Sequence, residues 1–176
     1  PNTVSDHQSE QLIRATSHGA IGILGGSPGT GKTFAAAHYI KLLADSHGIG
    51  QIAVCAPTGK AAVRISELMA SHGIPIVAKT IHSLLRVKQQ DGGGWSFEHC
   101  EKNPLPFRFV FVDESSMIDT DLATSLLSAR GRDTRILFVG DVNQLPPVGH
   151  GAPLRDMITA GVPYGELTEI RRNSGG

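Results

Sequence analysis

The sequence predicts an α/β fold: a mainly parallel β-sheet flanked by helices, with a small β-hairpin inserted. Three observations predict it. Short apolar runs alternate with stretches whose apolar residues recur at helical spacing. The helical stretches end at glycines. One segment, about residues 86–106, interrupts the alternation, with Asp91-Gly92-Gly93-Gly94 dividing two short polar and aromatic pieces in the manner of a hairpin.

The first apolar run is Ala20 to Leu24. A glycine-rich turn then leads into a helix from Lys32 to about Ser46, with Phe34, Ala37, Ile40 and Leu43 on one stripe and Gly48 as its stop. Gln51 to Ala56 is the second strand. Thr58 is placed to cap a helix that turns Ala61, Ile65, Leu68 and Met69 inward and ends at Gly73. Phe107 to Val112 is the third strand. Asp119 caps a helix running through Leu122, Leu126 and Ala129 toward Gly131, and Arg135 to Val139 is the fourth strand. Pro153, in a first helical turn, opens a helix that ends near Gly161. Val162 to Ile170 is the last strand, and the polar stretch Arg171 to Gly176 reads as the start of a linker.

Composition narrows the function classes. The 176 residues suit a single domain. Lys plus Arg and Asp plus Glu are 16 each, so the net charge of zero excludes a bulk polybasic binder of nucleic acid or membrane and leaves only local clusters. Two cysteines, Cys55 and Cys100, have no CxxC spacing, which points to neither a disulfide framework nor a zinc site and to a reducing, cytoplasmic setting. The apolar runs are strand-length and the first ten residues carry no apolar signal region, so neither export nor membrane spanning is expected. Among eight histidines none has metal-ligand spacing.

The chemistry is concentrated in three segments. Gly26-Ser27-Pro28-Gly29-Thr30-Gly31-Lys32-Thr33 satisfies G-x-x-x-x-G-K-[ST] between a strand and a helix. Triphosphate oxygens need many donors at once. Glycines let backbone N–H groups curl around them, and the helix N-terminus adds partial positive charge. Lys32 is then expected at the β and γ phosphates of ATP and Thr33 at Mg²⁺. The second segment, Phe109 to Glu114, puts Asp113 and Glu114 at the carboxyl end of an apolar strand. Asp113 is expected to hold the Mg²⁺ and Glu114 to orient or deprotonate an attacking water. The third, Phe138 to Leu145, carries Gln144, an amide able to donate to phosphate and accept from water.

The ordered series GGSPGTGKT, APTGKAA, TIHSLL, VDESSM, GDVNQLPPV and LTEIRRN closely resembles the first RecA-like domain, a P-loop NTPase fold, of superfamily 1B DNA helicases of the RecD-like group. The resemblance covers nearly the whole chain. It implies that Gln8 is the glutamine that reads adenine, with Gln11 close by, and that Gln144 is the sensor between ATP and DNA. It implies that Arg172 reaches the γ-phosphate, with Arg171 beside it. Pro57, Thr58, Gly59 and Lys60, with Thr80 and His82, match the track for single-stranded DNA, and Trp95 and Phe97 lie where the family inserts a pin at the duplex junction. The implied activity is ATP-dependent, 5′ to 3′ DNA unwinding. The implied partner is a second RecA-like domain, of which this sequence holds no motif. The chain alone is expected to be monomeric, to bind nucleotide and to hydrolyse it weakly. A nucleotide-gated single-strand-binding ATPase without unwinding is the alternative. A small P-loop kinase is disfavoured because nothing after Lys60 resembles an arginine-rich lid.

Overall fold

The structure, a computed structural model, describes residues 3–144 and 151–170. Its centre is a six-stranded sheet of β1 (Ile21–Gly26), β2 (Ile52–Ala56), β3 (Lys79–Thr80), β6 (Phe109–Val112), β7 (Arg135–Gly140) and β8 (Tyr164–Leu167). The strand order is β3-β2-β6-β7-β1-β8 and every pairing is parallel, with registers such as Val54↔Phe111, Phe111↔Leu137 and Gly22↔Leu137. A separate antiparallel pair, β4 (Val87–Gln89) with β5 (Trp95–Phe97), forms the predicted hairpin inside 86–106.

Alternation along the strands sends side chains to two cores, as a sheet covered on both faces requires. Leu24, Val54, Phe111, Leu137 and Val139 lie under α1 (Asp6–Ala15), α2 (Lys32–His47) and α3 (Gly59–Ser71). Ile23, Cys55, Val110, Val112 and Phe138 lie under α4 (Ile81–Leu85), α5 (Thr120–Ser128) and α6 (Pro153–Thr159). The Cys55 thiol is fully buried, which raises its pKa and leaves it as core packing.

The predicted caps form. Thr58 accepts from Ala61 N at 3.2 Å, Asp119 from Leu122 N at 2.7 Å, and Gly48 ends α2 at φ 90°. Three strands are shorter than the apolar runs that predict them. Phe107 and Arg108 precede β6, Gln51 belongs to a 3₁₀ turn before β2, and β8 covers only the middle of Val162 to Ile170. The stripe expected on α2 also broadens: Ala35, Ala36, Ala37 and Ile40 are buried, while Phe34 and Leu43 stay partly exposed.

No apolar stripe predicts α1. It begins with a reciprocal capping box, in which Gln8 N donates to Ser5 Oγ at 3.1 Å and Ser5 N donates to Gln8 Oε1 at 3.0 Å. The helix lies directly on two adjacent strands. A Cβ at Gly22 of β1 would run into the Ala15 carbonyl oxygen, and one at Gly165 of β8 into that of Gln11. These glycines let a mostly polar helix approach the sheet at backbone distance.

Candidate functional site

All six strands run the same way, so their carboxyl ends share one rim, where ligands bind in open parallel sheets. From one edge to the other the rim carries Thr80, Pro57 to Lys60, Asp113 and Glu114, then Gln144, and finally the glycine-rich loop. All these predicted residues are thereby gathered on one side of the molecule.

The loop Ser27–Gly31 joins β1 to α2 through left-handed backbone at Gly29 (φ 85°) and Gly31 (φ 78°), a region that side chains disfavour. Gly31 is the N-cap of α2 and makes no side-chain hydrogen bond to its first turn. Thr30, 1% exposed, closes the loop by donating Oγ1 to the Ser27 carbonyl at 2.7 Å. A Cβ on Gly26 would lie 2.6 Å from that Oγ1, which leaves glycine as the residue that fits. Behind the loop, Gln8 is 2% exposed and donates Nε2 to the carbonyls of Thr30 and Gly31, each at 3.4 Å. Gln11 is committed elsewhere, its Oε1 accepting from Glu166 N at 3.1 Å. Of the two glutamines, Gln8 therefore touches the loop. Tyr164 packs against the end of β1 that leads into the loop: a Cβ on Gly25 would fall 2.7 Å from the Tyr164 ring. Burial, helped by neighbouring Glu166, pushes the Tyr164 hydroxyl up to about 12.

Asp113 leaves the end of β6 with its N–H donating to the Cys55 carbonyl at 2.9 Å. Its Oδ1 accepts from Thr33 Oγ1 at 3.3 Å, joining the first turn of α2 to the acidic strand end. Burial raises the Asp113 pKa and the Glu114 charge adds to that, while the Glu114 backbone amide, the Thr33 hydroxyl and Lys32 oppose it. Among the described residues no three His, Cys, Asp or Glu side chains gather. Thr33 with Asp113 is thus a two-oxygen set, the kind that holds Mg²⁺ only together with phosphate oxygens and water, and it sits beside a phosphate-shaped loop.

Glu114 turns the chain sharply. Its backbone is left-handed (φ 52°, ψ 40°), a conformation that costs a non-glycine residue on the order of 1–3 kcal/mol. The turn is fixed by Ser115, buried, donating Oγ to the Val112 carbonyl at 2.7 Å. It also packs on Gly140 of β7, where a Cβ would come within 3.0 Å of Ser115 N and Ser116 N. The turn carries Glu114 Oε1 to 3.6 Å from Arg64 Nη1 on α3.

Gln144 follows β7 in an Asx turn, with Asn143 N donating to Asp141 Oδ1 at 3.0 Å and Gln144 N to the Asp141 carbonyl at 3.2 Å. Its Oε1 accepts from Ser116 Oγ at 2.9 Å, so its side chain is tied to the acidic turn.

At the far end of the rim both threonines are helix caps: Thr58 for α3, and Thr80 for α4 through Ser83 N at 3.1 Å. Both use oxygen as acceptor, and each hydroxyl hydrogen remains for another partner. Thr58, Gly59 and Lys60 are exposed and Pro57 is partly so. His82 is exposed too, against the usual expectation of a partly buried histidine, and its ring lies 5.9 Å from Phe97 at 52°. The hairpin aromatics divide: Phe97 is partly buried on the second core, while Trp95 is 72% exposed. Arg171 and Arg172 lie outside the described residues.

Sequence reading missed Arg64, Ser116, Tyr164 and the glycine pair at 22 and 165. Only Ser5, three residues before Gln8, carried a local signal, the S-x-x-Q capping pattern of α1.

The AAA domain family matches residues 8–150. The chain is 37% identical over 171 residues to the ATP-dependent RecD2 DNA helicase of Deinococcus radiodurans, covering 97% of this chain and 22% of that protein. It is 34% identical over 169 residues to the RecBCD enzyme subunit RecD of Mycobacterium tuberculosis, covering 87% and 28%. Among solved structures, Pif1 helicase from Candida albicans matches with a TM-score of 0.66 and 24% identity, over 99% of this chain and 42% of that one. Bacteroides sp Pif1 in complex with ADP-AlF4 matches with a TM-score of 0.57 and 20% identity, over 98% and 43%. These structural likenesses show the fold. The chain spans 22% and 28% of the two sequence relatives' lengths.

Proposed function

This chain belongs to the RecD-like group of superfamily 1B helicases as a RecA-like domain, and from that membership we propose that it is the first motor domain of an ATP-dependent DNA helicase working 5′ to 3′. The observation that carries the reading is the hydrogen bond of Thr33 to Asp113. It brings residues 80 apart in sequence to one point beside the left-handed glycine loop.

In this reading the loop amides and Lys32 hold the β and γ phosphates of ATP, with Pro28 and Thr30 shaping the loop, and Gln8, which braces the loop, is the glutamine that reads adenine. Thr33 and Asp113 hold Mg²⁺, which when bound neutralises phosphate charge. Glu114 orients the attacking water. Gln144, tied to the acidic turn through Ser116, links the nucleotide to the strand track, and Arg172 reaches the γ-phosphate. Single-stranded DNA lies along Pro57 to Lys60, Thr80 and His82, with phosphates on the hydroxyls and exposed amides of two helix starts. Trp95 projects toward the duplex junction, and Phe97 seats the hairpin that carries it. A second RecA-like domain closes over the nucleotide and supplies the remaining cation, so the chain alone acts as a monomer with weak hydrolysis. No helix of the described residues is long and apolar enough to cross a membrane. Cys55 and Cys100 are free thiols, in keeping with a reducing, cytoplasmic setting.

The test is ATP hydrolysis by the chain with and without single-stranded DNA, for wild type, Lys32→Ala and Glu114→Gln. Weak, DNA-stimulated hydrolysis lost in both variants is expected, with Glu114→Gln still binding nucleotide. Hydrolysis that survives Lys32→Ala would refute the site. Robust unwinding by this chain alone would refute the need for a second domain.

A further inference from the structure

One ion pair crosses from the strand track to the acidic turn. Arg64 stands four residues after Lys60 on α3, so the two cations share a helix face about 6 Å apart along the axis. The Arg64 side chain is 67% exposed, and instead of extending into solvent its Nη1 lies 3.6 Å from Glu114 Oε1. The left-handed backbone of Glu114 stands at the turn from which that carboxylate meets α3, while Asp113, the residue before it, meets Thr33. With the partners 67% and 35% exposed, the pair contributes little to stability and exchanges readily with another anion.

We propose that Arg64 is a positioning residue shared between two anions: the Glu114 carboxylate when the track is empty, and the phosphodiester backbone of a single strand when it is filled. The inference rests on the roles given above to Glu114 and to Pro57 through Lys60. A strand crossing Thr58 and Lys60 passes one helical turn from Arg64, whose guanidinium forks onto phosphate as well as onto carboxylate. Drawn to the strand, Arg64 releases Glu114 to turn toward the nucleotide, so the filled track and the competent glutamate occur together. Because coupling is reciprocal, Glu114 competes with the strand for Arg64, and removing its charge strengthens strand binding through Arg64.

The test is a double-mutant cycle on strand affinity, free of nucleotide and metal. Anisotropy of a labelled single-stranded DNA oligomer at low salt is measured for wild type, Glu114→Gln, Arg64→Ala, Arg64→Lys, Lys60→Ala and the pairs of Glu114→Gln with each Arg64 variant, after circular dichroism shows each folded. Glu114→Gln is expected to tighten binding about two- to fivefold, the scale of a partly exposed ion pair. That gain is expected to vanish in the Arg64→Ala background and to return in part with Arg64→Lys. Equal tightening with and without Arg64 would mean that Glu114 acts only as a nearby negative charge, and would overturn the inference. Independent effects with binding still weakened by Lys60→Ala would sink the inference and leave the track standing. Absence of strand binding by wild type would sink the track and the inference with it. As a second readout, Arg64→Ala should raise hydrolysis without DNA and shrink its stimulation by DNA; unchanged values on both counts would speak against the exchange.

Discussion

Thr33 Oγ1 donates to Asp113 Oδ1 at 3.3 Å, so the hydroxyl at the start of α2 and the carboxylate at the end of β6 face one another. Burial holds the Asp113 pKa above the usual carboxylate range. A carboxyl group whose pKa is raised by folding favours the folded state when protonated, below its unfolded pKa, and that advantage is lost as pH rises through the folded pKa. At neutral pH, above the unfolded pKa, the raised Asp113 pKa therefore works against the fold.

Asp113→Asn is accordingly expected to stabilise the metal-free chain at neutral pH, raising Tm by roughly 2–4 °C if the gain is near 1 kcal/mol. The gain should shrink toward zero as pH falls and wild-type Asp113 takes up its proton. The same variant should lose Mg²⁺-dependent nucleotide binding. Thermal unfolding across pH, with titration of a fluorescent ATP analogue, checks both; a lower Tm at neutral pH would contradict the burial argument.

Ser116 is the physical link between the acidic turn and Gln144. Ser116→Ala should leave nucleotide affinity near wild type and weaken the effect of nucleotide on DNA affinity by about fivefold or more, the lower end of typical coupling between sites. Measuring DNA affinity with and without a non-hydrolysable analogue, in both proteins, decides it.

Much of this arrangement was legible before any coordinates. The strand–glycine loop–helix order around Lys32, the acids after Phe109 to Val112, and the caps Thr58 and Asp119 are local patterns, and local patterns survive folding. What could not be read depends on partners far apart in sequence. Helix α1 lacks an apolar stripe because it packs on glycines 22 and 165 at backbone contact, a surface that periodicity does not record. The pairings of Arg64 with Glu114 and of Ser116 with Gln144 span 50 and 28 positions, and neither residue type announces them. Trp95 and Phe97 look equivalent in a hairpin sequence, yet one projects and the other packs.

That glycine surface gives a stability prediction. Gly165→Ala should cost about 1–3 kcal/mol, because the new methyl group must displace the Gln11 carbonyl. It should also weaken nucleotide binding, since Gln8 braces Thr30 and Gly31 from the same helix. Urea unfolding and nucleotide titration of the variant test the two effects together; a stability loss of that size with no loss of nucleotide affinity would mean that the Gln8 brace does not govern nucleotide binding.

The two hairpin aromatics should separate cleanly. Phe97→Ala is expected to lower stability by about 1–3 kcal/mol, less than the 3–5 typical of a fully buried phenylalanine. Trp95→Ala should leave Tm unchanged and, in a fusion of the chain to a second RecA-like domain, reduce unwinding of forked duplex more than DNA-stimulated hydrolysis. A Trp95 variant that unwinds as wild type does would remove the wedge role.

In the proposed function one domain joins a nucleotide loop to a single-strand track along one rim of the sheet. The most direct measurement is the affinity of the chain for a labelled single-stranded DNA oligomer at low salt, by anisotropy, with and without a non-hydrolysable Mg·ATP analogue and beside a Lys32→Ala control. The analogue is expected to shift DNA affinity in wild type and to leave Lys32→Ala unmoved. DNA affinity that is absent, or indifferent to an analogue shown to bind, would contradict it.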